Sequence, residues 1–218
     1  MSNKQIFDAL VGAGMTIEGA CGMLGNMAAE SGMNPLNVED RSGINDVDYV
    51  FRVDNDPTYD FATDCGKAYG FGLCQWTHCS RKSALLAFAK SRGVSVGDGD
   101  MQTQFCIKEL KEDYHDLWAM LCSSHDLLQC TERICKEYER PAVNNVEVRY
   151  GFAKQAFDYF TSQPRPADKP PDVPTDNGDN KDPVELACDL LLAYLRSVEF
   201  QEGFSEYVKN SLALLERS

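Results

Sequence analysis

No run of apolar residues in this chain approaches the roughly twenty needed to cross a bilayer, because charges interrupt each stretch within a few positions. The opening residues, MSNKQIFDAL, lack the basic start and apolar core of a secretory signal. A role outside the membrane would therefore need release by another agent. Positive charge is scarce too: 21 Lys and Arg against 34 Asp and Glu leave a net charge of −13. The parts before and after residue 162 are both acidic, so averaging hides no basic module. This excludes phosphate-led binding of nucleic acid and simple attraction to anionic membranes. A neutral or zwitterionic polymer such as a glycan stays compatible.

Histidine is rare, and no CxxC pair occurs. The nine cysteines are Cys21, Cys65, Cys74, Cys79, Cys106, Cys122, Cys130, Cys135 and Cys188. An odd number without framework spacing fits buried free thiols in a reducing compartment. A zinc site would have to start from Cys74, His78 and Cys79, or from Cys130 and Cys135, and neither spacing suits it. No metal or other cofactor is expected. A cysteine peptidase would need a thiol beside a histidine, and only His78, His115 and His125 exist. His78 adjoins Cys79 in the chain, which is poor geometry for a nucleophile and its base.

What is present is helical periodicity in a chain of ordinary globular composition. Six segments read as helices: Ser2 to Val11, Thr16 to Gly32, Ser80 to Gly93, Asp100 to Leu121, Leu127 to Tyr138, and Asn145 to Phe160. Between the second and third lies a long irregular stretch, Asn34 to Cys79, with one strand-like piece from Asp48 to Val53. Such long loops are uncommon in compact domains unless they carry function, so a substrate cleft is expected there. From Gln163 to Pro183 six prolines alternate with polar residues, which predicts an extended linker. Residues 184–218 follow as an amphipathic two-helix hairpin, too small to stand alone and expected to dock, oligomerise or bind a target. The expected organisation is a mainly α domain over 1–162, a linker over 163–183 and the hairpin.

Two motifs suggest chemistry. The second helix ends Gly-Asn-Met-Ala-Ala-Glu-Ser-Gly, which puts Glu30 among the unpaired carbonyls of the last turn. That negative helix end, with Met23, Met27 and Met33 nearby, favours the neutral acid that a glycosidase needs as proton donor. By residue type alone, a solvated surface Glu would fit equally well. The second motif runs Tyr69-Gly-Phe-Gly-Leu-Cys-Gln-Trp-Thr77. Its glycines let backbone approach a ligand, Gln75 can both donate to and accept from sugar groups, and Tyr69, Phe71 and Trp76 offer flat faces for pyranose rings. Trp76 and Leu73 would serve equally as packing residues.

The Glu-Ser-Gly helix end followed by Asn34 and Pro35, then the Gly-Phe-Gly-Leu-Cys-Gln-Trp-Thr loop, resembles the phage tail-type lysozymes. So do the Tyr138-Glu139-Arg140-Pro141 turn and the Arg149 to Phe160 helix; together the likeness spans about residues 3 to 161. It implies the lysozyme-like helical fold, with the Asn34 to Cys79 loop forming the cleft. It further implies a peptidoglycan glycan strand as substrate, Glu30 as the acid, and Gln75 and Tyr138 among the substrate-binding residues. The chain has Phe71 where many relatives carry Tyr, and Cys74 where a small residue is usual. For a second carboxylate Glu39 is the first choice, with Asp40, Asp46 and Asp48 as competitors and a single-Glu mechanism as the alternative. Muramidase, lytic transglycosylase giving an anhydro sugar, and a catalytically silent wall-binding protein are all consistent at this point. The setting implied is an endolysin, made in the cytoplasm of an infected bacterium and passed to the wall by a holin. In that setting the hairpin would bind wall or build a homo-oligomer.

Overall fold

In the computed structural model, residues 2–162 are described. The expected linker and hairpin, 163–218, lie outside the described residues. The chain divides into a compact unit, Met1–Asp158, and a second that begins at Tyr159. Among the described residues there are eight α-helices and no strand: α1 Asn3–Gly12, α2 Ile17–Ser31, α3 Asp46–Asn55, α4 Cys79–Arg92, α5 Gly99–Asp113, α6 His115–Leu121, α7 Leu127–Arg133 and α8 Val146–Ser162. A 3₁₀ turn, Asp40–Ser42, precedes α3, and a π-helical segment, Ile134–Glu139, continues α7.

Local chemistry sets most of these ends. Ser2 opens α1 with a capping box: its hydroxyl accepts from the Gln5 N–H, and its own N–H donates to Gln5 Oε1 at 2.7 Å. Thr16 caps α2 through the Gly19 N–H at 3.0 Å, and Gly32 ends that helix in the left-handed region at φ 60°. Asp98 and Asp126 cap α5 and α7 in the same way.

α2 is buried on almost every side, including Ala20, Cys21, Met23, Leu24, Met27 and Ala28. Its neighbours can close around it because small residues recur along it. A Cβ at Gly19 would lie 2.4 Å from the Leu121 carbonyl oxygen, and one at Gly25 would lie 2.5 Å from the Arg149 carbonyl oxygen of α8. Ile6 and Leu10 of α1, Phe105 and Leu110 of α5, Leu117 and Leu121 of α6, and Phe152 of α8 complete the core.

Three elements differ from the sequence reading. The strand expected over Asp48 to Val53 is the helix α3, capped by Asn45, whose Oδ1 accepts from the Val47 N–H at 2.9 Å. The alternation of Tyr49, Phe51 and Val53 looked like a strand, but Phe51 is 68% exposed and the buried set is Tyr49, Val50 and Val53, a helical spacing. The single helix expected from Asp100 to Leu121 breaks at Tyr114, at φ −130° and ψ 50°, where no Gly or Pro marks the end. Tyr114 packs edge-on against Tyr138 there, with ring centroids 5.2 Å apart. The third helix, expected to be capped by Ser80, starts two residues earlier, at Cys79, with His78 as its cap.

The loop between α2 and α4 is ordered by its own interior. The Val38–Phe71 bridge ties its halves together, with the Glu39 N–H donating to the Gly70 carbonyl at 2.9 Å. Beneath it Lys82 of α4 and Asp64 form a fully buried ion pair. Asp64 Oδ1 also accepts from Tyr49 at 2.6 Å and Tyr59 at 3.0 Å, and its Oδ2 from the Tyr69 N–H at 2.8 Å. Lys82 donates further to the Tyr49 oxygen and the Tyr69 carbonyl, both at 3.0 Å, and its ammonium lies 4.4 Å from the Phe61 ring centroid. Such a pair stabilises only while complete. Asp64→Ala, which leaves the Lys82 charge buried and alone, is expected to cost about 3–5 kcal/mol. Urea unfolding measures this, and a loss below about 1 kcal/mol would mean that the loop is held by other contacts.

Candidate active site

A cleft of about 800 Å³ opens between the end of α2, the Glu39–Arg41 segment, the Gly70–Ser80 stretch and the turn after the π segment. Glu30, Glu39, Gln75 and Tyr138, all expected from sequence, line it together with Arg81, Tyr114, Glu139 and Arg140. Tyr69, Phe71 and Trp76 are not on its walls.

Glu30 sits on the last turn of α2 with its side chain 16% exposed. Of the methionines expected to flank it, Met23 and Met27 lie wholly in the core and Met33 is half-buried. Instead Arg149 of α8 donates from Nη2 to Glu30 Oε1 at 2.6 Å and from Nη1 to Asn26 Oδ1 at 3.1 Å. Asn26 is fixed in turn by donating to the Gly22 carbonyl at 2.8 Å and the Thr131 carbonyl at 3.1 Å. Glu30 is therefore aimed by a guanidinium reaching from beneath the helix.

Glu39 stands in a different environment. Its Oε2 accepts the Gly70 N–H at 3.0 Å, and its Oε1 accepts from Arg41 Nε. Arg41 is itself anchored on the Ala68 carbonyl at 2.9 Å. Partial burial works to raise the Glu39 pKa, but the Arg41 hydrogen bond, the Gly70 N–H and the charges of Arg41 and Lys82 outweigh it. The carboxyl is held below its usual range, so it is ionised wherever the protein is folded at ordinary pH.

Gln75 occupies a left-handed backbone position at φ 44°. Its amide nitrogen donates to Asn37 Oδ1 at 2.7 Å, the Asn37 carbonyl at 3.2 Å and the Gly72 carbonyl at 3.1 Å. Both amide hydrogens are committed to the loop, which leaves Oε1 as the group able to accept from a sugar hydroxyl or N–H.

The aromatic residues expected to stack on sugars form the wall behind the cleft. Phe71 and Trp76 are both 0% exposed. Phe71 packs on Tyr49 and Phe61 at centroid distances of 5.4 and 5.6 Å, and Trp76 on Phe105 at 5.5 Å. Tyr69 is also buried, with the Arg41 guanidinium over its ring. Leu and Phe type residues between glycines read alike whether they face ligand or core, and the three-dimensional closure of the loop decides. Tyr138 does reach the cleft wall, but its hydroxyl is spent on Glu109 Oε2 at 2.7 Å.

Glu109 is the residue that the sequence did not flag. The indole N–H of Trp76 donates to its Oε2 at 2.7 Å, and Arg81 donates to both its oxygens at 2.9 and 2.8 Å. It joins α5, the Gln75–Trp76 loop, α4 and the π segment in one buried cluster. Glu109 and Arg149 did leave a signal: each is a charge on the apolar face of its helix, beside Phe105 and Phe152 respectively. A charge at a core position must be paired, and here the pairs support the cleft.

Among the thiols, Cys21, Cys74, Cys106, Cys130 and Cys135 are buried and free as expected, whereas Cys65 and Cys79 are exposed and Cys122 is half-buried. Cys74 touches the cleft, but burial, with Cys106 next to it, pushes its thiol well above the ordinary range. It is no nucleophile.

The core placement of Trp76 is checked by Trp76→Phe, which keeps a ring but deletes the donor to Glu109. Stability should fall by about 1–3 kcal/mol in thermal unfolding, with KM unchanged. A raised KM at native stability would put the indole in the cleft instead.

No curated protein matches the chain. The phage tail lysozyme family model matches residues 2–160, covering the α2 end, the loop and the turn that build this cleft, and the chain therefore belongs to the phage tail lysozyme family.

Proposed function

We propose that the protein cleaves the glycan strand of bacterial peptidoglycan between N-acetylmuramic acid and N-acetylglucosamine, with Glu30 as general acid. The observation that carries this reading is the meeting of two unlike carboxyls, Glu30 and Glu39, on the walls of one cleft. Glycosidic cleavage needs a proton for the leaving oxygen and negative charge near the ring that turns cationic. Glu30, partly open to the cleft, supplies the first. Glu39, kept ionised by Gly70 and Arg41, supplies the second, either by steadying the oxocarbenium ion or by taking a proton from the attacking water. Gln75 Oε1 and the arginines of the cleft orient the strand, and the acidic surface elsewhere suits a polymer that is not drawn in by its charge.

Glu39 keeps partners on both oxygens, which suits a charge stabiliser at least as well as a base. A lytic transglycosylase, in which a sugar hydroxyl attacks in place of water, is therefore the second reading. Mass spectrometry of the released fragments separates the two, since the anhydro product is lighter by one water.

Glu30→Gln should lower wall lysis by about two to four orders of magnitude while leaving the melting temperature near that of the wild type. Lysis at the wild-type rate would sink the assignment. The pH profile tests Glu39. Because its pKa is depressed, activity should persist on the acid side until the pH falls below the usual carboxylate range. Arg41→Ala removes the hydrogen bond that lowers it, so the acid limb should move toward neutral pH; an unmoved limb would detach Glu39 from the reaction.

A further inference from the structure

Arg140 lines the cleft and is exposed, and it ends the π segment Ile134–Glu139 in the left-handed region at φ 52° and ψ 50°. Backbone of this kind is disfavoured twice here. A non-glycine residue seldom adopts the left-handed region, and the residue before a proline, as Arg140 is before Pro141, is driven toward extended backbone. Glycine would hold the turn at lower cost, so the arginine side chain is the feature that needs a reason. Strained residues and π turns concentrate at functional sites.

The guanidinium is held at two points. Nε donates to the Glu137 carbonyl at 2.7 Å, and the group lies 5.9 Å from the centre of the Tyr114 ring, itself part of the cleft wall. Neither terminal nitrogen has a protein acceptor among the described residues, and Arg140 forms no ion pair with them, although Glu137 and Glu139 stand close in the chain. Glu137 is taken by Arg133, which donates to its two oxygens at 2.5 and 3.0 Å, and Glu139 Oε1 is buried without a partner. The other arginines of the cleft walls are committed to the protein. Arg41 donates to Glu39 and the Ala68 carbonyl, and Arg81 to both oxygens of Glu109. With Nε of Arg140 engaged, the open edge is its pair of terminal nitrogens. That edge is a planar fork of parallel N–H donors, the shape that matches a carboxylate.

We propose that Arg140 is a specificity-determining residue that binds a carboxylate of the substrate, so that the cleft prefers strands bearing one to neutral strands of the same sugars. This rests on the substrate being peptidoglycan. N-acetylmuramic acid differs from N-acetylglucosamine by a lactyl ether ending in a carboxyl. That carboxyl is free in a bare strand, and in wall it is amide-linked to a peptide with carboxylates of its own. Both sources present the same group. Glu39, kept ionised in the same cleft, repels an anion, so an anionic substituent settles best at the arginine whose charge the protein has left unpaired.

The test is calorimetric binding to the full chain carrying Glu30→Gln, which holds substrate without turning it over. The ligands are short strands of alternating N-acetylglucosamine and N-acetylmuramic acid in three forms: peptide-bearing, stripped of peptide to leave the lactyl carboxylate, and stripped with that carboxyl made a neutral methylamide. The methylamide should bind about three- to tenfold more weakly than the better charged form. Adding R140Q or R140G should abolish this preference and leave the affinity for the methylamide as it was. R140G suits the left-handed backbone and serves should R140Q not fold. A preference already present in the stripped strand assigns the lactyl carboxylate, and one seen only with the peptide assigns a peptide carboxylate. Equal affinity for charged and neutral forms overturns the proposal, and so does a preference that survives both substitutions. A loss equal for all three forms overturns it too, because a packing role does not read the charge of the ligand. If no form binds, the peptidoglycan reading falls as well; if all bind regardless of charge, only the role of Arg140 falls.

Discussion

Arg149 can reach Glu30 only because Gly25 has no side chain. α8 crosses α2 at that glycine so closely that any Cβ would meet the Arg149 carbonyl oxygen at 2.5 Å and the Ala153 Cβ at 2.7 Å. The close crossing lets a long cationic side chain run beneath the last turn of α2 and hold both Asn26 and Glu30. The rest of the site follows from this constraint. With Glu30 fixed on a helix that is itself buried on nearly all sides, the opposite wall need only bring up a loop. That loop can be long because its order comes from its interior.

The loop's interior is polar where a simpler design would be apolar. Lys82 and Asp64 beneath the Glu39 side form a fully buried ion pair, and Arg81 and Glu109 beneath the Gln75 side a partly buried one, each with further partners among tyrosines, backbone groups or an indole. Buried pairs contribute little net stability compared with well-packed apolar groups, but they fix geometry, since every partner must sit at a set distance and angle. A cleft wall made mostly of irregular backbone has few other means of holding one shape. Its aromatic residues, Phe71 and Trp76, serve the same end from behind.

The three carboxyls of the cleft differ by environment alone. Glu39 has a guanidinium and a backbone N–H, Glu30 has a guanidinium shared with Asn26, and Glu139 has a buried oxygen with no donor. Chemistry that needs both a charge and a proton in one place can be run by a single residue type if surroundings push the copies apart.

Much of this was legible in the chain itself. Capping residues and apolar periodicity marked most of the helices, because both act within a turn or two of sequence. Glu30, Glu39 and Gln75 could be named because glycines, a helix end and a long polar loop are local features that happen to fall around one cleft. The likeness to tail lysozymes then joined them, and Glu39 emerged as the carboxylate that reaches the cleft, whereas Asp46 is turned to Asn34 and the Val38 N–H. What sequence could not settle was which side of a wall an aromatic ring faces, or where a periodic pattern bends without a breaker. Phe71 read as a sugar platform, and Trp76 as either platform or packing residue, until the loop closed over them, and α3 read as a strand until Phe51 was left in solvent. The partners of Glu30 and Glu39 were hidden for the same reason. Arg149 lies 119 positions from Glu30 and Gly70 lies 31 from Glu39, and only the packing of α8 on α2 and the folding back of the loop bring them within hydrogen-bond reach.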